Sequence, residues 1–195
     1  MIENGDTCAI ETGRLLLRKF SYEDTESMLR HWIANPAVQH NYGEPVYEDD
    51  EAVRCLLDRW LACYAGGDFY RWAVLLKKTG ENIGQIAFCR LYRKEGAAEV
   101  ECCIGEDYWG KGYVPEALRA VTRHSFDKLE MDRLEAFHRI GNPNSGRVLE
   151  KAGFKKVSSI RRFEEMNKQP VGEVCFALTR EEYIAGRNGS LLSNR

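Results

Sequence analysis

No run of about 18 apolar residues occurs anywhere in the 195-residue chain, so no segment reads as a membrane-spanning helix. Neither charge is in excess: 28 basic residues face 30 acidic ones, for a net of −2. A direct nucleic-acid binder would carry a strong basic surplus, and none is expected. Met1–Glu11 is polar and acidic and lacks the apolar core of a signal peptide, which points to a cytoplasmic protein. The seven cysteines are odd in number and show no C-x-x-C spacing, and His31, His40, His124 and His138 are scattered. A disulfide framework and a metal site are therefore not expected. Cys55, Cys63, Cys89 and Cys102 fall at apolar positions and read as buried thiols in a reducing compartment. There are no internal repeats and no linker, and 44% hydrophobic with 30% charged residues is ordinary for one globular domain.

What is present begins with a strand at 15–20 after a loose lead-in at 1–10. Ser21 and Asp24 then form a capping pair, opening a helix that carries Met28, Leu29, Trp32 and Ile33 and stops at Asn35-Pro36. Residues 38–47 read as a loop. A second helix starts at Asp49 or Asp50, with a stripe of Val53, Leu56, Leu57, Trp60, Leu61 and Tyr64, and ends at Gly66-Gly67. Three strands joined by short polar turns follow, at 71–76, 83–92 and 97–104, and read as an antiparallel meander. Next come a glycine-rich turn, a helix from Val114 to about Leu129, a strand at 133–138 and a short helix from Asn142 to Ala152. A closing hairpin pairs 154–163 with 171–178 across Asn167-Lys168-Gln169-Pro170, and 187–195 reads as a loose polar tail.

The turn Tyr108-Trp109-Gly110-Lys111-Gly112-Tyr113-Val114-Pro115 joins a strand to a helix. Free backbone N–H groups and the positive end of a helix dipole suit an anion such as a diphosphate. Gly110 and Gly112 allow close approach of the backbone, and Pro115 falls in the first helical turn, which tolerates it. A Walker A loop would need Ser or Thr where Gly112 stands, and a dinucleotide fingerprint would need glycine at Pro115. The bland alternative is a turn with two convenient glycines.

Trp109 to Val114 resembles the pyrophosphate loop of the GCN5-related N-acetyltransferases, Q/R-x-x-G-x-G/A, with Trp109 and Val114 departing from the usual letters. With Glu116-Ala117-Leu118 it is similar to the branch that contains the RimJ/RimL-type ribosomal-protein N-terminal acetyltransferases, alongside enzymes acting on amino acids, polyamines and antibiotics. Asn142-Pro143-Asn144-Ser145-Gly146-Arg147-Val148-Leu149-Glu150-Lys151-Ala152-Gly153-Phe154 resembles a second segment of the same family, N-x-x-S-x-x-x-L-E-K-x-G-F. The resemblance spans residues 12–183. It implies an α/β (α+β) acyl-CoA N-acyltransferase fold, with a mixed, mostly antiparallel sheet flanked by helices.

The resemblance also implies acetyl-CoA as co-substrate and no metal. Its cofactor contacts would come from Trp109, Gly110, Lys111, Gly112, Tyr113 and Val114, with a backbone amide near Cys103 or Ile104 for the thioester oxyanion. Asn142 would meet the pantetheine arm, Ser145 would sit near the thiol, and Arg147 or Lys151 could reach the phosphates. Helix capping accounts for Asn142 and Ser145 equally well, and a solvated face accounts for Arg147 and Lys151.

The implied reaction is attack of a neutral amine on the thioester. An α-amine is neutral roughly one time in seven at pH 7, a lysine amine only about once in a few thousand. Glu99 and Glu101, on one face of a strand and roughly 7 Å apart, are the base candidates. Ala98-Glu99-Val100 resembles the family segment that carries the base, which favours Glu99; a pair of surface carboxylates is the bland reading. Leu149 stands where the family often has a tyrosine serving as the general acid, which shifts that role to Ser145 or water. The acceptor would be a peptide N-terminus or a small-molecule amine. A homodimer through the closing strands is suggested by family analogy alone. The alternative function is a non-catalytic CoA-binding or sensing module of the same fold.

Overall fold

The computed structural model describes residues 7–163 and 170–192. Eight strands form one sheet in the order β1-β2-β3-β4-β5-β6-β8-β7. They are β1 (Ile10–Glu11), β2 (Leu15–Arg18), β3 (Arg71–Leu76), β4 (Asn82–Tyr92), β5 (Ala97–Ile104), β6 (Arg133–Arg139), β7 (Lys155–Phe163) and β8 (Pro170–Thr179). All neighbours are antiparallel except β5 and β6. The expected meander is thus β3-β4-β5, and β7 pairs with β8 as expected; residues 167–169 of the turn between them lie outside the described residues.

Helices cover both faces. The face carrying Leu17, Trp72, Ile86, Val100 and Ile104 packs against α4 (Tyr113–Asp127), whose Ala117, Leu118, Val121 and Phe126 complete the larger core. The opposite face presents Ala73, Leu75 and Cys103 to α1 (Thr25–Met28), to a π-helical turn (Leu29–Ile33) and to α3 (Asp50–Cys63). Strand alternation therefore sends Cys102 and Ile104 to one layer and Glu101 and Cys103 to the other.

Four expectations are corrected. Residues 38–47 are not wholly a loop: α2 spans Pro36–Tyr42, capped by the Asn35 side chain on the amides of Ala37 and Val38 and closed by Gly43 at φ 89°. Asn35-Pro36 ends one helix and starts the next, because proline suits a first helical position as well as it breaks an interior one. The lead-in is pinned from Thr7: its hydroxyl donates to Phe69 O at 2.8 Å, Cys8 O accepts from Trp72 Nε1 at 2.8 Å, and Ile10–Glu11 is a strand. Residues 187–192 of the polar tail continue α6 (Arg180–Leu192), tied back by Arg187 to Asp127 at 3.0 Å, and 193–195 lie outside the described residues. Cys55, Cys63 and Cys89 are exposed and Cys102 is half-buried, whereas Cys103 and Cys175 are buried. Cys55 and Cys63 lie off the α3 stripe, of which Val53, Leu56 and Leu57 are the buried part.

Candidate active site

The site follows from one irregularity in the sheet. β5 and β6 pair only at Ala97↔Arg133, Ala98↔Leu134 and Glu99↔Glu135, and then part. Beyond Glu99 the inner edge of β5 faces a gap rather than a strand. Gly105 N donates to Ile83 O at 2.9 Å, toward β4, so the same planar peptide turns Ile104 O toward the gap. Trp109 Nε1 donates to that oxygen at 2.9 Å. In extended backbone the N–H of Ile104 points the same way as its C=O, and alternation gives Cys102 the same sense. Cys103, paired with Gln85 on β4, turns its amide away from the gap. Of the two amides expected near a thioester, the geometry presents that of Ile104.

Both strands end beside a helix start. After β5 the chain turns through Gly110 (φ 72°) and Gly112 (φ 79°) into α4. A Cβ on Gly110 would meet nothing within 4 Å, so the loop is open outward there. The amides of the first turn of α4 have no partner inside the helix. Trp109 is 44% exposed despite its indole bond, and Lys111 Nζ lies 5.7 Å from the centre of the Tyr108 ring. After β6 comes α5 (Pro143–Lys151), where Asn142 Oδ1 accepts from Ser145 N at 3.4 Å. Gly146 lets α5 lie close to β6, since a Cβ there would stand 2.8 Å from His138 Nε2. Ser145 is half-buried, Leu149 is buried, and Arg147 and Lys151 are exposed. Two helix starts thus flank the open end of the gap. An extended ligand with an anionic end and a chain of amides, as in acetyl-CoA, fits this arrangement of donors.

The glycine loop is fastened from a direction its own letters do not show. Glu116, in the first turn of α4, accepts from Thr12 Oγ1 at 2.6 Å and from Arg14 N at 2.9 Å, and pairs with the Arg14 guanidinium at 2.6 Å. Burial alone would raise its carboxyl, but these donors outweigh it and hold the group below the usual range.

On the other face of β5 the two candidate bases part company. Glu99 is 8% exposed and lies level with the last β5–β6 pair, with Arg90 of β4 at 3.8 Å. Glu101 lies one pleat further into the opened stretch and joins a closed ring of four side chains. Tyr42 OH donates to Glu101 Oε1 at 2.5 Å and Arg71 Nη2 donates to the same oxygen at 3.0 Å. Gln85 Nε2 donates to Tyr42 OH at 2.9 Å, and Arg71 Nη1 closes the ring on Gln85 Oε1. The Arg71 guanidinium also stacks 4.5 Å from the Trp60 ring centre. Three of these residues line a cavity of about 70 Å³ with Trp32, Glu44, Tyr47 and Trp60. Burial, then the Glu101 charge, pushes the Tyr42 phenol far up, and the same two causes raise Glu44 at the rim. Neither base candidate is a plain surface carboxylate. The residues missed from sequence are Tyr42, Arg71 and Gln85, which lie on three separate elements.

The family model described as an acetyltransferase (GNAT) domain matches residues 14–155. The chain belongs to the GNAT acetyltransferase family. GNAT members are acetyl-CoA-dependent acyltransferases, and this chain is an enzyme of that class. It is 27% identical over 172 residues to an uncharacterised N-acetyltransferase, p20, of Bacillus licheniformis, covering 88% of this chain and 96% of the relative. It is 29% identical over 98 residues to a ribosomal-protein-serine acetyltransferase of Escherichia coli, covering 50% and 55% of the two chains. The fold is that of a Vibrio cholerae spermidine N-acetyltransferase solved with CoA and spermine: TM-score 0.73 at 17% identity, covering 89% of this chain and 99% of the other. The α/β acyltransferase fold expected from the two motifs is therefore observed. No described helix is long and apolar enough to cross a membrane.

Proposed function

We propose that this GNAT enzyme acetylates a primary α-amine, borne by a peptide N-terminus such as that of a ribosomal protein or by a small amino-acid-like molecule, in a ternary complex with acetyl-CoA. The observation that carries the reading is the Glu101 ring beside the opened stretch of β5. Both side-chain donors fall on Oε1 of Glu101, which leaves Oε2 as the atom to take the amine proton. This moves the base from Glu99 to Glu101. Ile104 N–H is the donor for the thioester oxyanion. Gly110, Lys111, Gly112, Tyr113 and Val114 hold the diphosphate by their amides, and Asn142 and Ser145 border the pantetheine arm. Removing a proton from an amine already neutral roughly one time in seven asks little of a carboxylate. Arg71 supports an α-amino acyl group over a polyamine: its guanidinium disfavours a second cation, and its buried Nε lacks a hydrogen-bond partner that an acceptor carbonyl could supply.

The test is an intact-mass and rate assay with a free-N-terminus dipeptide, an Nα-blocked lysine and spermidine. Glu101→Gln should lower kcat/KM on the dipeptide by about 10²-fold and Glu99→Gln by only a few-fold. Ser145→Ala would show whether that hydroxyl serves the leaving thiolate, by a loss in kcat at unchanged CoA affinity. A larger loss in Glu99→Gln than in Glu101→Gln, or a preference for spermidine, would overturn the reading.

A further inference from the structure

We infer that Arg14, outside both sequence motifs, is a positioning residue for the cofactor diphosphate: it aims the glycine-loop amides and offsets the Glu116 carboxylate at the start of α4. Three observations converge. Arg14 Nη1 donates to Lys111 O at 2.9 Å. The C=O and N–H of a trans peptide point in opposite directions, so fixing Lys111 O toward Arg14 turns the N–H of Gly112 the other way. Gly112 caps α4 at φ 79°, a conformation whose alternatives cost glycine little, so the loop needs an external tether to keep one arrangement. Arg14 is that tether. It stacks 4.4 Å from the centre of the Tyr113 ring, and its Nη2 lies 3.5 Å from where a Cβ on Gly112 would stand.

The third observation is electrostatic. Glu116 lies in the first turn of α4, where a carboxylate favours the helix but repels an anion bound at the same end. Arg14 meets it through Nε and Nη2, both at 2.6 Å from Oε2. With Arg14 in place the Glu116 charge at the start of α4 is offset; without the guanidinium, Glu116 loses both of these contacts and keeps only Thr12 Oγ1 and the Arg14 amide.

The inference rests on the diphosphate seating at this loop. The test is titration calorimetry of the wild type, Arg14→Gln and Arg14→Lys with CoA, with dephospho-CoA, which keeps the diphosphate, and with pantetheine, which lacks it. Pantetheine is measured by competition. Arg14→Gln should weaken CoA and dephospho-CoA alike by about tenfold and change pantetheine less than twofold. Arg14→Lys keeps the charge but not the planar fork, and should fall between. Equal losses for all three ligands would make Arg14 a merely structural residue and overturn the inference, as would wild-type affinities throughout. A wild-type protein that binds CoA no tighter than pantetheine would instead overturn the seating at the loop. If Arg14→Gln does not fold, Arg14→Lys against the same three ligands decides the matter.

Discussion

Gly84, near the start of β4, offers a perturbation whose size can be worked from distances. It pairs with Ile104 on β5, and its N–H donates to Asn82 Oδ1 at 3.0 Å. A Cβ added there would stand 2.2 Å from Cys103 O and 2.8 Å from Ile104 Cα. Both are backbone atoms, so no side-chain rotation can make room. Restoring an ordinary contact of about 3.4 Å requires β4 and β5 to separate by roughly 1 Å. Overpacking of this kind costs about 1–3 kcal/mol. For a chain of this length that is a fall in Tm of roughly 2–12 °C. The displaced residue is the one whose amide faces the gap, and a 1 Å misplacement at a reacting centre can cost about 10²-fold in rate. Gly84→Ala should therefore lower both Tm, read by calorimetry, and kcat/KM, read with whichever amine the acceptor screen selects. The activity loss should exceed what the unfolded fraction explains. A Gly84→Ala protein with wild-type Tm and wild-type kcat/KM would refute the reasoning, because it would mean that β5 yields at no cost.

Two further outcomes are expected. The Tyr64 phenol is pushed up to about 12, chiefly by burial; it donates to Arg71 O at 2.7 Å and accepts from Phe20 N at 3.1 Å. Tyr64→Phe should cost about 1–3 kcal/mol in denaturant titration, since it strands two backbone groups; no loss would show that water replaces the hydroxyl. His124 is held below its ordinary value of 6.5, by burial first and then by Lys128. The unfolded imidazole takes up a proton that the folded one resists, so stability should fall as pH drops below about 6.5 and go on falling until the lowered value is passed. His124→Gln should flatten that slope in Tm against pH, and an unchanged slope would assign it to other groups.

Elements with a strong local period were legible from the letters. The stripe of α3, the apolar face of α4 and the polar turns of the β3-β4-β5 meander all declared themselves. α2 did not, because Asn35-Pro36 can be a stop or a start and only burial of Val38 and Gln39 decides between them. The glycine loop was legible because its chemistry lies in consecutive residues. The ring proposed to meet the acceptor was not: Tyr42, Arg71, Gln85 and Glu101 come from α2, β3, β4 and β5, and no local pattern links them. Alternation placed Glu99 and Glu101 on one face correctly. It could not tell which of them passes the point where β5 leaves β6, because that point is a property of sheet closure. The Arg14–Glu116 pair escaped for a like reason, its members being 102 positions apart.

The parting of β5 from β6 bears on how such a chain can drift. Where a pocket is lined by side chains, each substitution edits the recognition surface. Here the gap is bordered by peptide groups, and every residue except proline brings the same donor and acceptor. Selection can then hold the path of the main chain while leaving most letters along it free. A fold shared at a TM-score of 0.73 with 17% identity is compatible with that freedom. The ring of Tyr42, Arg71, Gln85 and Glu101, built from the functional groups of particular residues, has no such latitude.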